Sequence, residues 1–245
     1  MPNTPWVGRG DDKLYLQSGE FSATTKTSLA IGTIDVDPSG ISWDGTNTPW
    51  IGFASDKLYL QSGQFSATLK TSRATPGEAS PRGISYSNNP SNTPWTGSGT
   101  ADKLRLQSGQ FSATMKTSLS VGGVDDAPFD ISWDGTNTPW AGDTSDKLYL
   151  QSGQFSATLK TSRAVGGIDL TPNGISWNQT NTPWCGGTDD KLYMQSGQFS
   201  ATLKTSLGVG AIETGPEGID STNRLAAAPG AAAAAPQRTL IGVGV

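Results

Sequence analysis

The stretch LYLQSGQFSATLKTS stands letter for letter at residues 58–72 and again at 148–162, with near copies at 14–28, 104–118 and 192–206. A repeat of this kind decides the fold before any single residue does, because repeated units bury against one another a face that none could bury alone. Outward from it, a Pro-Trp step places Trp6, Trp50, Trp95, Trp140 and Trp184 at spacings of 44, 45, 45 and 44. The phenylalanine of the quoted stretch recurs at Phe21, Phe65, Phe111, Phe155 and Phe199, so five units cover residues 3–220.

Each unit contains four strand-like runs. In the second, Ile41–Trp43 is a short apolar run, the turn Asp44-Gly45-Thr46-Asn47 follows, and Thr48–Gly52 and Lys57–Gln61 come next. Leu58 and Leu60 alternate with Lys57, Tyr59 and Gln61, the period of a strand. Ser62-Gly63 reads as a two-residue hairpin link, glycine supplying the positive φ of a primed turn. The last run, Gln64–Ser72, predicts an outer strand with Phe65, Ala67, Leu69 and Thr71 on one face. Four antiparallel strands in about 45 residues, five times over, predict an all-β fold: a five-bladed β-propeller of four-stranded antiparallel blades. A β-trefoil would need three such units, and a solenoid shorter coils.

The two ends of the repeat complement each other. With strands lettered a to d from the centre outward, residues 3–28 supply b, c and d, and residues 217–220 supply an a with no b after it. Strand a (217–220) is therefore expected to join strands b–d (3–28) and close the ring, since both half-blades would otherwise keep unpaired edges. Residues 1–220 are thus the propeller, and 221–236, containing LAAAPGAAAAAP, read as an Ala/Pro/Gly-rich linker. Residues 237–245 form an apolar segment of strand propensity. Two readings of it stay open: folding back on its own propeller, or docking on another protein by strand addition, with Leu240, Ile241, Val243 and Val245 as the anchor.

Composition narrows the function. Net charge is −4 with no basic run, which argues against a nucleic-acid partner. No stretch has the length of a membrane span, and the N-terminus MPNTPWVGRG has no apolar core of a signal peptide. Cys185 is the only cysteine, so an intrachain disulfide and Cys-type zinc sites are excluded. The absence of histidine removes the commonest general base and metal ligand. No metal or cofactor is expected. Carboxylates remain, and Asp35, Glu78, Asp125, Asp169 and Glu213 fall one per unit in the loop before strand a. One acid per unit argues against catalysis, which needs carboxyls in unlike environments.

Two repeated sets invite both a ligand and a structural reading. Asp12, Asp56, Asp102, Asp146 and Asp190, in Asp-Lys-Leu, suit cations or sugars, but equally suit loop carboxylates that cap backbone N–H groups. Trp6, Trp50, Trp95, Trp140 and Trp184 suit sugar stacking, but equally suit the packing of blade on blade. In both cases the structural reading is the better supported. Variation between units is confined to the b–c and d–a loops, which antiparallel strands place on one face of the disc. The b–c loops supply Arg9, Asp11, Phe53, Ser55, Thr100, Asp143, Thr144, Thr188 and Asp189 as candidate contacts, since unlike loops on a rigid frame suit one asymmetric partner.

The wording GISWDGTNTPW at 40–50, followed by DKLYLQSGQFSATLKTS at 56–72, resembles a repeat of propeller proteins of tailed bacteriophages. The resemblance spans about nine tenths of the chain. In blade number and length the chain is also similar to tachylectin-type five-bladed lectins, whose sugar-contacting residues find no match here. The phage resemblance implies a virion protein, extracellular after lysis, and it carries over no catalytic residue. It leads to a non-enzymatic propeller that meets a host-surface glycan or protein through its variable loops and other virion proteins through its tail, alone or as an oligomer in the particle. The alternatives are a capsid or tail decoration protein contacting only virion proteins, and a free multivalent lectin.

Overall fold

The computed structural model describes residues 3–19, 21–75, 80–85, 92–97, 102–108, 114–153, 155–200 and 202–221. Of the expected linker and anchor, residues 222–236 and 237–245 lie outside the described residues. Twenty strands form five separate four-stranded antiparallel sheets. Blade 1 comprises β20 (Pro216–Ile219), β1 (Thr4–Gly8), β2 (Lys13–Gln17) and β3 (Thr25–Ala30), in that order from the axis. Blade 2 runs β4 (Pro38–Ile41), β5 (Asn47–Gly52), β6 (Lys57–Ser62) and β7 (Leu69–Ala74), and blade 3 runs β8 (Pro81–Ile84), β9 (Asn92–Gly97), β10 (Lys103–Ser108) and β11 (Met115–Ser120). Blade 4 runs β12 (Pro128–Ile131), β13 (Thr138–Gly142), β14 (Lys147–Gln151) and β15 (Leu159–Ala164). Blade 5 runs β16 (Pro172–Ile175), β17 (Thr182–Gly186), β18 (Lys191–Gln195) and β19 (Leu203–Gly208). The innermost strands β4, β8, β12, β16 and β20 touch in sequence and return to β4, so the five-bladed ring is closed. The closure is the expected one: β20 pairs antiparallel with β1, Trp6 opposite Ile219.

The period of two in strand c serves two cores, because this strand is buried on both faces. Leu14 faces forward, packing with Val7, Leu16 and Ile31 against Ile41, Trp50, Tyr59 and Phe65 of blade 2. Tyr15 faces back, packing with Trp6 and Ile219 against Cys185, Leu192 and Val209 of blade 5. Corresponding clusters fill the other three seams. The hydrophobic core is thus five interfaces, each made by one half of two neighbouring blades.

Two expected boundaries differ. Strand a of blade 2 ends at Ile41, where an apolar Ile41–Trp43 strand was expected to begin. Ser42 and Trp43 instead lead into the a–b turn, and the Trp43 N–H donates to the Asp220 carboxylate at 2.7 Å. The proline that opens each strand a marks its start, since its fixed φ suits the first position of a strand. The c–d connection is also longer than a Ser-Gly link: the Ser62 N–H donates to the Thr68 carbonyl at 2.9 Å, closing a loop over 63–67. Gly63 has the expected positive φ, but so does Phe65, at 63°, which turns its ring into the blade 1–blade 2 core. Strand d therefore begins at Leu69 rather than Gln64, and Leu69 is exposed. Burying a phenylalanine outweighs the strain of a left-handed backbone, about 1–2 kcal/mol.

Strand d is the outer edge of each blade. Its pairing with strand c skips one residue, Lys70 in blade 2 and Lys26, Lys116, Lys160 and Lys204 in the others. A bulge carrying a charged lysine is a standard way to stop an edge from recruiting another strand.

Candidate functional site

The repeated tryptophans are wholly buried. Trp6, Trp50, Trp140 and Trp184 stack on Tyr15, Tyr59, Tyr149 and Tyr193 with ring centroids 4.2–4.3 Å apart, and in blade 3 the Arg105 guanidinium lies 5.0 Å over Trp95. None of these five rings has a face open to a sugar. The Asp-Lys-Leu aspartates share a left-handed backbone, φ between 39° and 53°. Asp12, Asp56, Asp146 and Asp190 accept the backbone N–H of Asp37, Ser80, Thr171 and Gly215 at 2.7–3.0 Å. Their own carbonyls, and that of Asp102, accept from Ile31, Thr75, Val165, Val209 and Val121 at 2.9 Å. Each aspartate therefore clamps its blade to the loop that enters the next one, rather than capping its own turn.

The candidate acids are likewise kept within their own blades. Asp35 accepts Tyr59 Oη at 3.0 Å and the Ser55 hydroxyl. Asp125 accepts Tyr149 Oη at 3.2 Å and the Ser145 and Thr144 amides, and Asp169 accepts Tyr193 Oη at 3.1 Å and the Thr188 and Asp189 amides. In blade 1 Glu213 accepts the Gly10 amide at 2.9 Å, while Tyr15 turns to Asp11. Burial pushes the Asp169 and Glu213 carboxyls up, and the Tyr59, Tyr149, Tyr15 and Tyr193 phenols with them. These four acids brace the b–c loops of blades 1, 2, 4 and 5 and do not meet one another; Glu213 also shares a hydrogen bond with Asp11 of its own blade. Glu78 and Thr100 lie outside the described residues.

The remaining b–c loop candidates divide. Ser55, Thr144, Thr188 and Asp189 are engaged in this bracing, and Asp11 is paired with Lys13 at 2.6 Å. Burial raises the Asp143 carboxyl, with Asp125 and Asp146 adding to the effect. Arg9 and Phe53 reach the axis. There they meet residues the sequence reading passed over, the second position of strand a: Ser39, Arg82, Phe129, Asn173 and Glu217. The signal was available, because in the tetrapeptide Pro-X-Gly/Asp-Ile this position alone differs in all five units.

Arg82 of blade 3 lies across the mouth, its guanidinium 4.4 Å from the Phe53 ring and 4.3 Å from the Phe129 ring. Its Nη1 is 4.0 Å from Glu217 of blade 1, and the Ser39 hydroxyl donates to its carbonyl at 2.9 Å. Burial pulls the Arg82 guanidinium down, an effect that Glu217 opposes. Burial pushes the Glu217 carboxyl up, while Arg9 and Arg82 draw it back. Arg9 Nη1 donates to Glu217 Oε1 at 2.8 Å, and its Nε and Nη2 donate to the two Asp37 oxygens. The Asp37 carboxylate it donates to holds the Arg9 guanidinium pKa above its ordinary value.

Beside this network, on the face of the b–c and d–a loops, opens a cleft of about 400 Å³. Arg9, Asp37 and Glu217 form one wall, and Asn173 and Gly187 of blade 5 the other. The loop residues Thr214 and Gly215 complete it. Below the mouth the axis is closed. A Cβ on Gly40 would come 2.5 Å from the Arg82 carbonyl, one on Gly218 2.9 Å from Gly40 Cα, and one on Gly83 would overlap Asp130. Asp130 holds the place of the fifth glycine and accepts the Ile175 N–H at 2.9 Å. Burial pushes its carboxyl well up. The cleft is therefore a blind depression rather than the opening of a channel.

No protein-family model matches the sequence, and no curated protein does. Among solved structures, the fold is similar to a chain of a nidogen–laminin complex, with a TM-score of 0.57 at 12% identity over 90% of this chain and 98% of that one. It is similar also to a streptogramin B lyase, with a TM-score of 0.51 at 13% identity over 81% of this chain and 64% of the lyase. At such identities the likeness is one of fold.

Proposed function

We propose that the protein is a non-enzymatic virion propeller that binds a host-surface glycan through its variable face and attaches to the phage particle through its C-terminal segment. The observation that carries the binding half is the concentration of unlike residues at one mouth, where Arg9, Phe53, Arg82, Phe129, Asn173 and Glu217 border or line a polar cleft. The non-enzymatic half rests on the acids, each bound within its own blade. Phage context and the anchor rest on the wording of the repeat and on the apolar run 237–245. The test is binding of the purified protein to host cells and glycan arrays, together with particle association after deletion of 225–245. Host or glycan binding and loss of particle association are expected; association retained without the tail overturns the anchor.

A second reading, a decoration protein contacting only virion proteins, is favoured by Val36 and Leu170. These apolar side chains are 50% and 51% exposed on the d–a loops that enter blades 2 and 5, either side of blade 1. Absence of any cell or glycan binding, with particle association intact, would select it.

A further inference from the structure

We infer that the cleft beside blade 1 is a single binding site for an uncharged sugar ring, one per propeller, and that Asn173 is its specificity-determining residue. The inference rests on the host-glycan reading and names the place and chemical class of the ligand.

Asn173 carries the argument. It is 9% exposed, and nothing among the described residues hydrogen-bonds to its amide. Its amide opens onto the cleft, where a ligand hydroxyl can take the place of solvent. The amide nitrogen lies against Gly187, so close that a Cβ there would overlap it, and both residues line the cleft. Across the cleft, Glu217 Oε1 takes Arg9, whereas the structure gives Oε2 no hydrogen-bond partner. Arg9 spends three of its five N–H groups on Asp37 and Glu217 and is 42% exposed. The walls thus offer one amide that donates and accepts, one carboxylate oxygen that accepts, and guanidinium N–H groups that donate.

That alternation suits vicinal hydroxyls, each of which donates and accepts at once. Asp37 and Glu217 balance Arg9 and Arg82, so the network offers neither an anionic nor a cationic sugar a net attraction. The Glu217 carboxylate and the Arg9 guanidinium are already held to each other and the Asn173 amide is packed against Gly187, so little order is lost on binding. A cleft of about 400 Å³ lies at the small end of the usual range for ligand sites, roughly 300–1,000 Å³. The non-repeating walls fix the stoichiometry at one.

The test is an amide chemical-shift titration of the full-length protein with glucose, galactose, mannose and N-acetylglucosamine, and with glucosamine and a sialic acid as charged controls. At least one neutral sugar is expected to bind 1:1, with shifts at Gly10, Gly187 and Gly215 and weaker binding of both charged sugars. Asn173→Ala should weaken the neutral sugar at least about tenfold, the equivalent of losing one well-placed polar group. Should Asn173→Ala not fold, Thr214→Val, at an exposed site on the rim, is expected to weaken it severalfold. Stoichiometry of five, shifts outside the cleft, or preference for a charged sugar overturns the inference and leaves the host-surface reading standing. Cell binding without neutral-sugar binding does the same. Conversely, 1:1 sugar binding without host-cell or glycan-array binding overturns the host-surface reading and leaves the site.

Discussion

Strand c and strand a of the same blade have opposite sequence behaviour. Strand c is Lys-Leu-Tyr-Leu-Gln in three blades, with single changes to Arg105 and Met194 in the others, whereas strand a keeps only its proline and isoleucine. The cause is what each one touches. Every strand c meets only its two neighbouring blades, so identical copies make identical seams. The five strands a meet one another on a common axis. Five arginines or five glutamates there would place like charges within a few ångströms, and five side chains at the glycine position would not fit. Divergence at the axis is thus required by geometry, and it is the unpartnered Asn173, rather than divergence alone, that points to a ligand.

The seams between blades are where a single substitution should cost most. Trp50→Ala should cost about 3–5 kcal/mol in denaturant unfolding, as expected for a large buried ring left as a cavity. The same change at Trp6, Trp140 or Trp184 should cost about the same, because the stacked tyrosine is shared. Unequal losses would show that the blades are not equivalent. At the axis Gly83→Ala drives a methyl into Asp130 and should cost about 1–3 kcal/mol or more, while Gly123→Ala, in the loop that enters blade 4 and with open space around it, should stay within about 0.5 kcal/mol. Asp56→Ala removes the acceptor of the Ser80 N–H and leaves alanine at φ 53°, a loss of about 1–3 kcal/mol by the same measurement.

The smallest effect is one of slope. The Asp130 carboxyl is raised in the folded state by burial, with backbone N–H groups opposing and Asp220 adding to the rise. Below the unfolded value, about 4, both states hold the proton and the contribution is constant. Above it the unfolded chain releases its proton first, so stability falls as pH rises towards the folded value. Asp130→Asn keeps the shape and an acceptor for Ile175. Its urea midpoint relative to the parent should therefore rise between pH 4.5 and 7.5; an unchanged difference would show Asp130 ionised in the native ring.

Legibility followed the same division. Blade count, strand number and ring closure were readable because period and alternation are properties of neighbours in sequence. The start of strand d was misread at Gln64 because Phe65 looked like one more alternating apolar residue. Only its place between two blades explains its left-handed turn. Arg9 and Phe53 were legible as variable loop residues, but their meeting with Arg82, Asn173 and Glu217 was not. Those three share the second position of strand a in blades 3, 5 and 1, but Arg9 and Phe53 stand in b–c loops, and no periodicity carries the one set to the other.

By itself the sequence determined the repeat, the blade and the closed ring, since each depends on contacts that recur at one fixed spacing. Tertiary structure alone decided which acids are braces, which tryptophans are sealed and where the cleft lies. At the axis five blades converge, and what each side chain meets is set by residues up to 208 positions away, as between Arg9 and Glu217.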